Sequence, residues 1–179
     1  RDTDRSRGLG DVYKRQVAFD WVGTYLETRF TGGKLSVKVS ETGTSYYNVF
    51  VDGKLHKVVK VCGTDTLIHL VSGIDKRIHS LKIQKRSEGE FGKTTVHQFV
   101  LSGSGRLAEE LAVRTRHIEF IGNSLTCGYG TDGKHRDEPF LVETENCNLT
   151  FASMVARYYD ADYTPVSYTH LRAHETDQY

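Results

Sequence analysis

The chain carries almost no net charge: 24 lysines and arginines stand against 23 aspartates and glutamates. It therefore has no large field to draw it to nucleic acid or to an anionic membrane. No apolar run approaches the ~18–20 residues that cross a bilayer, and no signal peptide is visible. Cysteine is sparse and odd in number, with Cys62, Cys127 and Cys147 and no C-x-x-C spacing. Neither a disulfide framework nor a zinc site is supported. His56, His69, His79 and His97 show no ligand spacing and read as scattered strand or surface residues. No metal or organic cofactor is implied, and nothing in the sequence specifies an oligomeric state.

What the chain does have, between Phe19 and Leu107, is a period-two pattern broken by turns. Leu35, Val37 and Val39 alternate with Lys34, Ser36, Lys38 and Ser40, giving one apolar and one wet face. Leu81 and Ile83 alternate with Lys82 and Gln84 in the same way. Asp52-Gly53, between two apolar runs, signals a two-residue hairpin. About seven such strands suggest a β-sandwich able to fold alone, and SGSGR at Ser102–Arg106 reads as a turn leading toward a second domain. Trp21, Tyr25, Tyr46 and Tyr47 could stack on sugar rings, but aromatic side chains in sandwich strands are read first as core.

The most informative stretch is IEFIGNSLTCGYG, Ile118 to Gly130. Ile118, Phe120 and Ile121 suit a buried parallel strand, and Gly122 permits a sharp turn before Asn123 and Ser124. Strand ends of this kind are where α/β folds place chemistry. Ser124 is a candidate nucleophile whose own N–H can help hold an oxyanion, though it still needs a base. The alternative is a helix N-cap or turn residue. GYGTDG fits G-x-G-x-x-G, yet it does not directly follow the strand and KHRDEP is a poor helix start. A P-loop would need the missing lysine, and Cys127 reads as a small buried hydrophobe. Further on, Asn148 is expected to cap a helix from Leu149 to about Asp160, with Ala152, Val155, Ala156 and Tyr159 on one stripe. The sequon Asn148-Leu149-Thr150 is a weak signal beside that cap.

Ile118 to Gly130 resembles the first conserved block of the SGNH, or GDSL, hydrolases, and its long form is similar to that of carbohydrate esterase family two. FDWVGTYLETRF, YYNVFVDGK, IHSLKIQKRSE and VHQFVLSGSGRL follow the order of that family's amino-terminal sandwich, and ENCNLTFASMVARYYDADY resembles the helix after its nucleophile loop. The resemblance implies a mainly β, jelly-roll-like sandwich followed by the truncated start of an α/β SGNH hydrolase domain. It implies a secreted or periplasmic serine esterase that removes acetyl groups from plant cell-wall polysaccharides such as xylan and mannan. Its partner would be an acetylated poly- or oligosaccharide, its nucleophile and backbone oxyanion donor Ser124, and its loop-shaping residues Gly122 and Asn123. Asparagine at 123, where the better-known form has aspartate, keeps an acceptor and tolerates unusual backbone angles. The family's second-block glycine, its G-x-N-D block and its D-x-x-H block are not in this sequence, so the chain by itself is expected to be nearly inert. The alternative is a non-catalytic carbohydrate-binding sandwich with a hydrolase remnant.

The expected organisation is a sandwich over 17–107, a linker over 108–116 and the hydrolase start over 117–165. Residues 1–16 and 166–179 resemble translated sequencing-adapter read-through, lack apolar periodicity and are expected to join no core. His170 and His174 are accordingly not read as the catalytic histidine.

Overall fold

The computed structural model describes residues 16–108 and 114–167. Seven strands form one antiparallel sheet: β1 (Val17–Phe19), β2 (Tyr25–Thr31), β3 (Lys34–Val51), β4 (Lys54–Ser72), β5 (Ile78–Lys85), β6 (Thr94–Ser102) and β7 (Arg106–Leu107). The order is β1-β6-β3-β5-β2-β7, with β4 beside β3. β3 is long enough to serve both halves of the sheet. Its first part pairs β6 from Lys34 to Glu41, and its last part pairs β5 from Tyr47 to Val51. Between them the β3–β4 register slips at Glu41 and Thr44, as bulged strands do where they bend. The sheet thus curls over itself.

The curl encloses a core of alternating residues from both halves, among them Leu35, Val37, Val39 and Val96 facing Phe30, Tyr47, Val49, Leu81 and Ile83. Each fully buried side chain of this kind stabilises by roughly 1.5–3 kcal/mol relative to exposure. The β3–β4 turn has Asp52 at φ 50° and Gly53 at φ 75°, the positive pair that a twisted two-residue hairpin needs. β4 forms a long outer edge on which Lys54 and Lys60 are exposed, charges that discourage edge-to-edge pairing. The SGSGR turn leads first into β7, which pairs β2, before the chain leaves the sheet.

A second, smaller unit follows. β8 (His117–Gly122) runs parallel to β9 (Asp162–Ser167), and between them come α1 (Ser124–Cys127) and α2 (Phe151–Tyr158). β8 is half-buried rather than enclosed, with Ile121 73% exposed. Among the described residues no helix is long and apolar enough to cross a membrane.

Three expectations are corrected here. The helix begins at Phe151, not Leu149, and its cap is Thr150, whose Oγ1 accepts from Ser153 N. Asn148 instead sits in a 3-10 turn whose amide is held by Asn146 Oδ1, while Ser153 Oγ and Arg157 occupy its carbonyl. Of the expected stripe, Ala152 and Ala156 are buried but Val155 and Tyr159 are exposed. The unit also extends past residue 165, because Val166 and Ser167 complete β9 and are buried. Finally, the wet face of β5 is covered, with Gln84 1% exposed. The rest of the two expected tails, residues 1–15 and 168–179 with His170 and His174, and residues 109–113 of the expected linker lie outside the described residues.

Candidate active site

Ser124 stands immediately beyond the carboxyl end of β8. Gly122 ends the strand in contact with Thr126, whose Oγ1 would lie 2.2 Å from a Cβ at position 122, so a side chain there would unseat the turn. Asn123 is extended and caps α1, its Oδ1 accepting from Leu125 N at 3.1 Å. The cap is therefore one residue before Ser124, which is the first helical residue. Its N–H has no acceptor within the helix. Its carbonyl accepts from Gly128 N and Tyr129 N, both at 3.0 Å, closing the single turn. Gly128 ends it at φ 91°, and a Cβ there would lie 2.4 Å from Asn146 O. Half-buried Ser124 makes no side-chain hydrogen bond among the described residues, and no described imidazole reaches it. His117 is at the far end of β8, bonded to Thr164.

Cys127 is fully buried with Cys147 and Val22, and burial pushes both thiols up, that of Cys147 to about 12. Neither is a thiolate at neutral pH, so both serve as packing residues.

The α1-bearing unit is seated on the outer face of β2, β3 and β5 through polar side chains. Arg86, just past β5, is 2% exposed and spans the junction. Its Nε donates to Glu145 O at 3.0 Å, its Nη2 to Glu143 O at 3.0 Å and to Asp132, and its Nη1 to Asn48 Oδ1 at 3.4 Å. Asn48 Nδ2 donates to Asn146 Oδ1 at 2.9 Å, and Asn146 returns a bond to Asp132 at 3.0 Å. Asn146 N donates to Gly128 O at 2.9 Å, which ties the network to the end of the Ser124 turn. Gln84 donates to Tyr163, and Tyr25 to Asp162. The sequence had not marked Asn48, Arg86, Asp132 or Asn146 as part of a site. Its available signal was the charged run Lys85-Arg86-Ser87-Glu88, which breaks the alternation just where β5 ends.

The four sandwich aromatics divide between the core, where all were expected, and the junction. Tyr47 is core, its hydroxyl 2.5 Å from Thr94 Oγ1. Trp21, Tyr25 and Tyr46 face the junction, where Trp21 Nε1 donates to Pro165 O at 3.1 Å and Tyr46 to Glu143 at 3.3 Å.

This geometry can be set beside known proteins. Residues 10–110 match the family described as carbohydrate esterase 2, N-terminal. The chain belongs to carbohydrate esterase family two. It is 32% identical over 149 residues to the cellulase/esterase CelE of Acetivibrio thermocellus, covering 83% of this chain and 18% of that protein. It is 30% identical over 149 residues to an acetylxylan esterase / glucomannan deacetylase of Cellvibrio japonicus, covering 81% and 40%. The solved structure of a family two carbohydrate esterase from Clostridium thermocellum in complex with cellohexaose superposes with a TM-score of 0.77 at 32% identity, covering 82% of this chain and 45% of that one. The family two chain thus spans less than half the length of these relatives, and its mainly β fold with the start of an α/β domain is theirs.

Proposed function

We propose that residues 17–107 and 117–167 are the sandwich and the nucleophile-bearing start of an SGNH-type serine esterase acting on acetylated xylan or mannan outside the cell. The observation that carries this reading is Ser124 itself, set at a strand end with its hydroxyl unengaged among the described residues and its N–H free of any helical acceptor. In the reaction Ser124 Oγ attacks the acetyl carbonyl carbon while a histidine base takes its proton. The oxyanion that forms accepts from the Ser124 N–H. Collapse expels the sugar oxygen, which takes the proton from the imidazolium, and water then releases acetate from the acyl-serine. This chemistry needs no metal or organic cofactor. Ser124 without a base within reach is a weak nucleophile, so the chain alone should turn over esters poorly.

The test replaces the corresponding part of the C. thermocellum esterase with residues 17–167 and measures acetate release from acetylated xylan and glucomannan. The chimera should be active, and Ser124→Ala should lower turnover by roughly 10³-fold or more. Near-normal turnover by Ser124→Ala contradicts the assignment.

A second reading, non-catalytic glycan binding, draws on the relative bound to cellohexaose, a glucan without acetyl esters. The four sandwich aromatics do not favour it, since all are engaged in the core or the junction. Glycan binding retained by Ser124→Ala in a chimera that releases no acetate would support it.

A further inference from the structure

An aromatic side chain stands exposed beside the Ser124 turn. Tyr129 N donates to Ser124 O at 3.0 Å, so the residue is fixed to the turn that carries the candidate nucleophile. Gly128 at φ 91° and Gly130 at φ 69° flank it. Just beyond, Thr131 Oγ1 lies 2.8 Å from Gly128 O and 3.0 Å from Asn146 O, which ties down the chain on the far side. A ring carried on backbone held this firmly loses little freedom when a ligand binds it.

One face of that ring is backed and the other is free. Phe140 stacks on it, with ring centroids 3.5 Å apart and planes 9° from parallel. Phe140 in turn meets Phe91 of the sandwich at 5.7 Å and 33°, in the 3-10 turn Gly89–Phe91 between β5 and β6. Both supporting rings are half-buried, whereas Tyr129 is 42% exposed. A ring covered on one side keeps that exposure on its opposite face and its hydroxyl edge, and the hydroxyl makes no hydrogen bond among the described residues. None of the three rings belongs to either buried core, so the stack is not part of the packing that holds either unit together.

The chemistry of this surface suits a sugar ring. The face of an aromatic ring is the negative side of its quadrupole and attracts C–H bonds, and a β-linked pyranose presents a face of axial C–H bonds with hydroxyls around its rim. Gly133 N donates to Gly130 O at 3.0 Å, folding the chain back so that exposed Lys134 and His135 follow within a turn of the ring. Together with the Tyr129 hydroxyl they offer hydrogen-bonding groups to such a rim. We propose that Tyr129, backed by Phe140 and Phe91, stacks on a backbone sugar of the polysaccharide whose acetyl ester meets Ser124. The proposal rests on reading Ser124 as the nucleophile of a polysaccharide esterase. Through Phe91 it gives the sandwich a part in holding the substrate, by supporting the platform from behind.

The test is titration of the isotope-labelled full chain with unacetylated xylohexaose and mannohexaose to about 10 mM, followed by amide resonances. At least one of the two sugars should move the Tyr129 and Gly130 amides along a saturating curve, and Tyr129→Ala should weaken that binding by roughly fivefold or more. Amides that stay still with both sugars, or Tyr129→Ala binding within about twofold of the parent, overturn the proposal. Should Tyr129→Ala not fold, the parent chain alone decides. Intermolecular Overhauser contacts between the Tyr129 ring protons and sugar C–H protons support the platform, and their absence at saturation refutes it. Ester turnover does not enter this measurement, so the two readings fail separately. An inactive chimera whose parent chain binds sugar on Tyr129 leaves the platform standing, and an active chimera without the Tyr129 contact removes the platform alone.

Discussion

Replacing Arg86 with methionine keeps most of its volume and removes every polar contact it makes across the junction. Two of those contacts matter most. Glu145 O lies in a residue with no exposed surface and would be left without its donor, which costs about 1–3 kcal/mol. Asp132 would lose its guanidinium partner but keeps Asn146 Nδ2 at 3.0 Å and is 34% exposed, so solvent limits that loss to about 1 kcal/mol. Glu143 is exposed and its carbonyl can turn to water. The total of about 3 kcal/mol falls at the low end for breaking a buried ion pair. At about 2–4 °C per kcal/mol for a chain of this size, Arg86→Met should lower Tm by roughly 6–12 °C. Circular dichroism melts read this directly, with Arg136→Met as control because that side chain is 92% exposed and should change Tm by less than about 1 °C. A shift below about 2 °C for Arg86→Met would mean that the junction does not hold the two units together.

Gly128→Ala should cost roughly 2 kcal/mol or more, read as a lowered urea midpoint, since it combines a φ of 91° with a Cβ 2.4 Å from Asn146 O. His79 lies between Asp52, 2.7 Å from Nδ1, and Asp75, 3.0 Å from Nε2, and the Asp52 bond chiefly raises its pKa. The hydrogen bond from Arg77 N and then that from His79 hold Asp75 down at about 2. The stability that His79→Gln removes should therefore be greatest between about pH 4 and 6.5. It should shrink as pH rises through the elevated histidine pKa, and shrink again as pH falls from 3.8 toward 2. A difference in Tm between the two chains that is flat from pH 3 to pH 8 would refute the clamp.

What could be read in the sequence was local. Leu35, Val37 and Val39 point inward as their alternation requires, and Asp52-Gly53 forms its hairpin because both residues tolerate positive φ. The apolar run before Ser124 is a strand because its residues favour one and Gly122 ends it. What was missed depends on distant partners. Alternation marks Gln84 as wet, yet Gln84 meets Tyr163, 79 residues on, and Arg86 meets Glu145, 59 residues on. Period-two reasoning cannot distinguish a face covered by water from one covered by another unit's hydrogen-bonding groups. The helix start failed for a related reason: Asn148 and Thr150 are both good caps, but Asn148 sits in a 3-10 turn with its Oδ1 accepting from Arg157, nine residues on, and Thr150 caps the helix. The bend of β3 at Glu41–Thr44 has no period of its own and leaves no sequence signature beyond Gly43.

The account rests most heavily on Ser124. Its direct test is to treat the chimera carrying residues 17–167 with a p-nitrophenyl alkylphosphonate, an ester that traps an activated serine by forming a stable bond to its oxygen, and to locate the adduct by tandem mass spectrometry. The account predicts one adduct, on Ser124, with acetate release lost in proportion. An adduct on another residue, or full inactivation with Ser124 unlabelled, would contradict it.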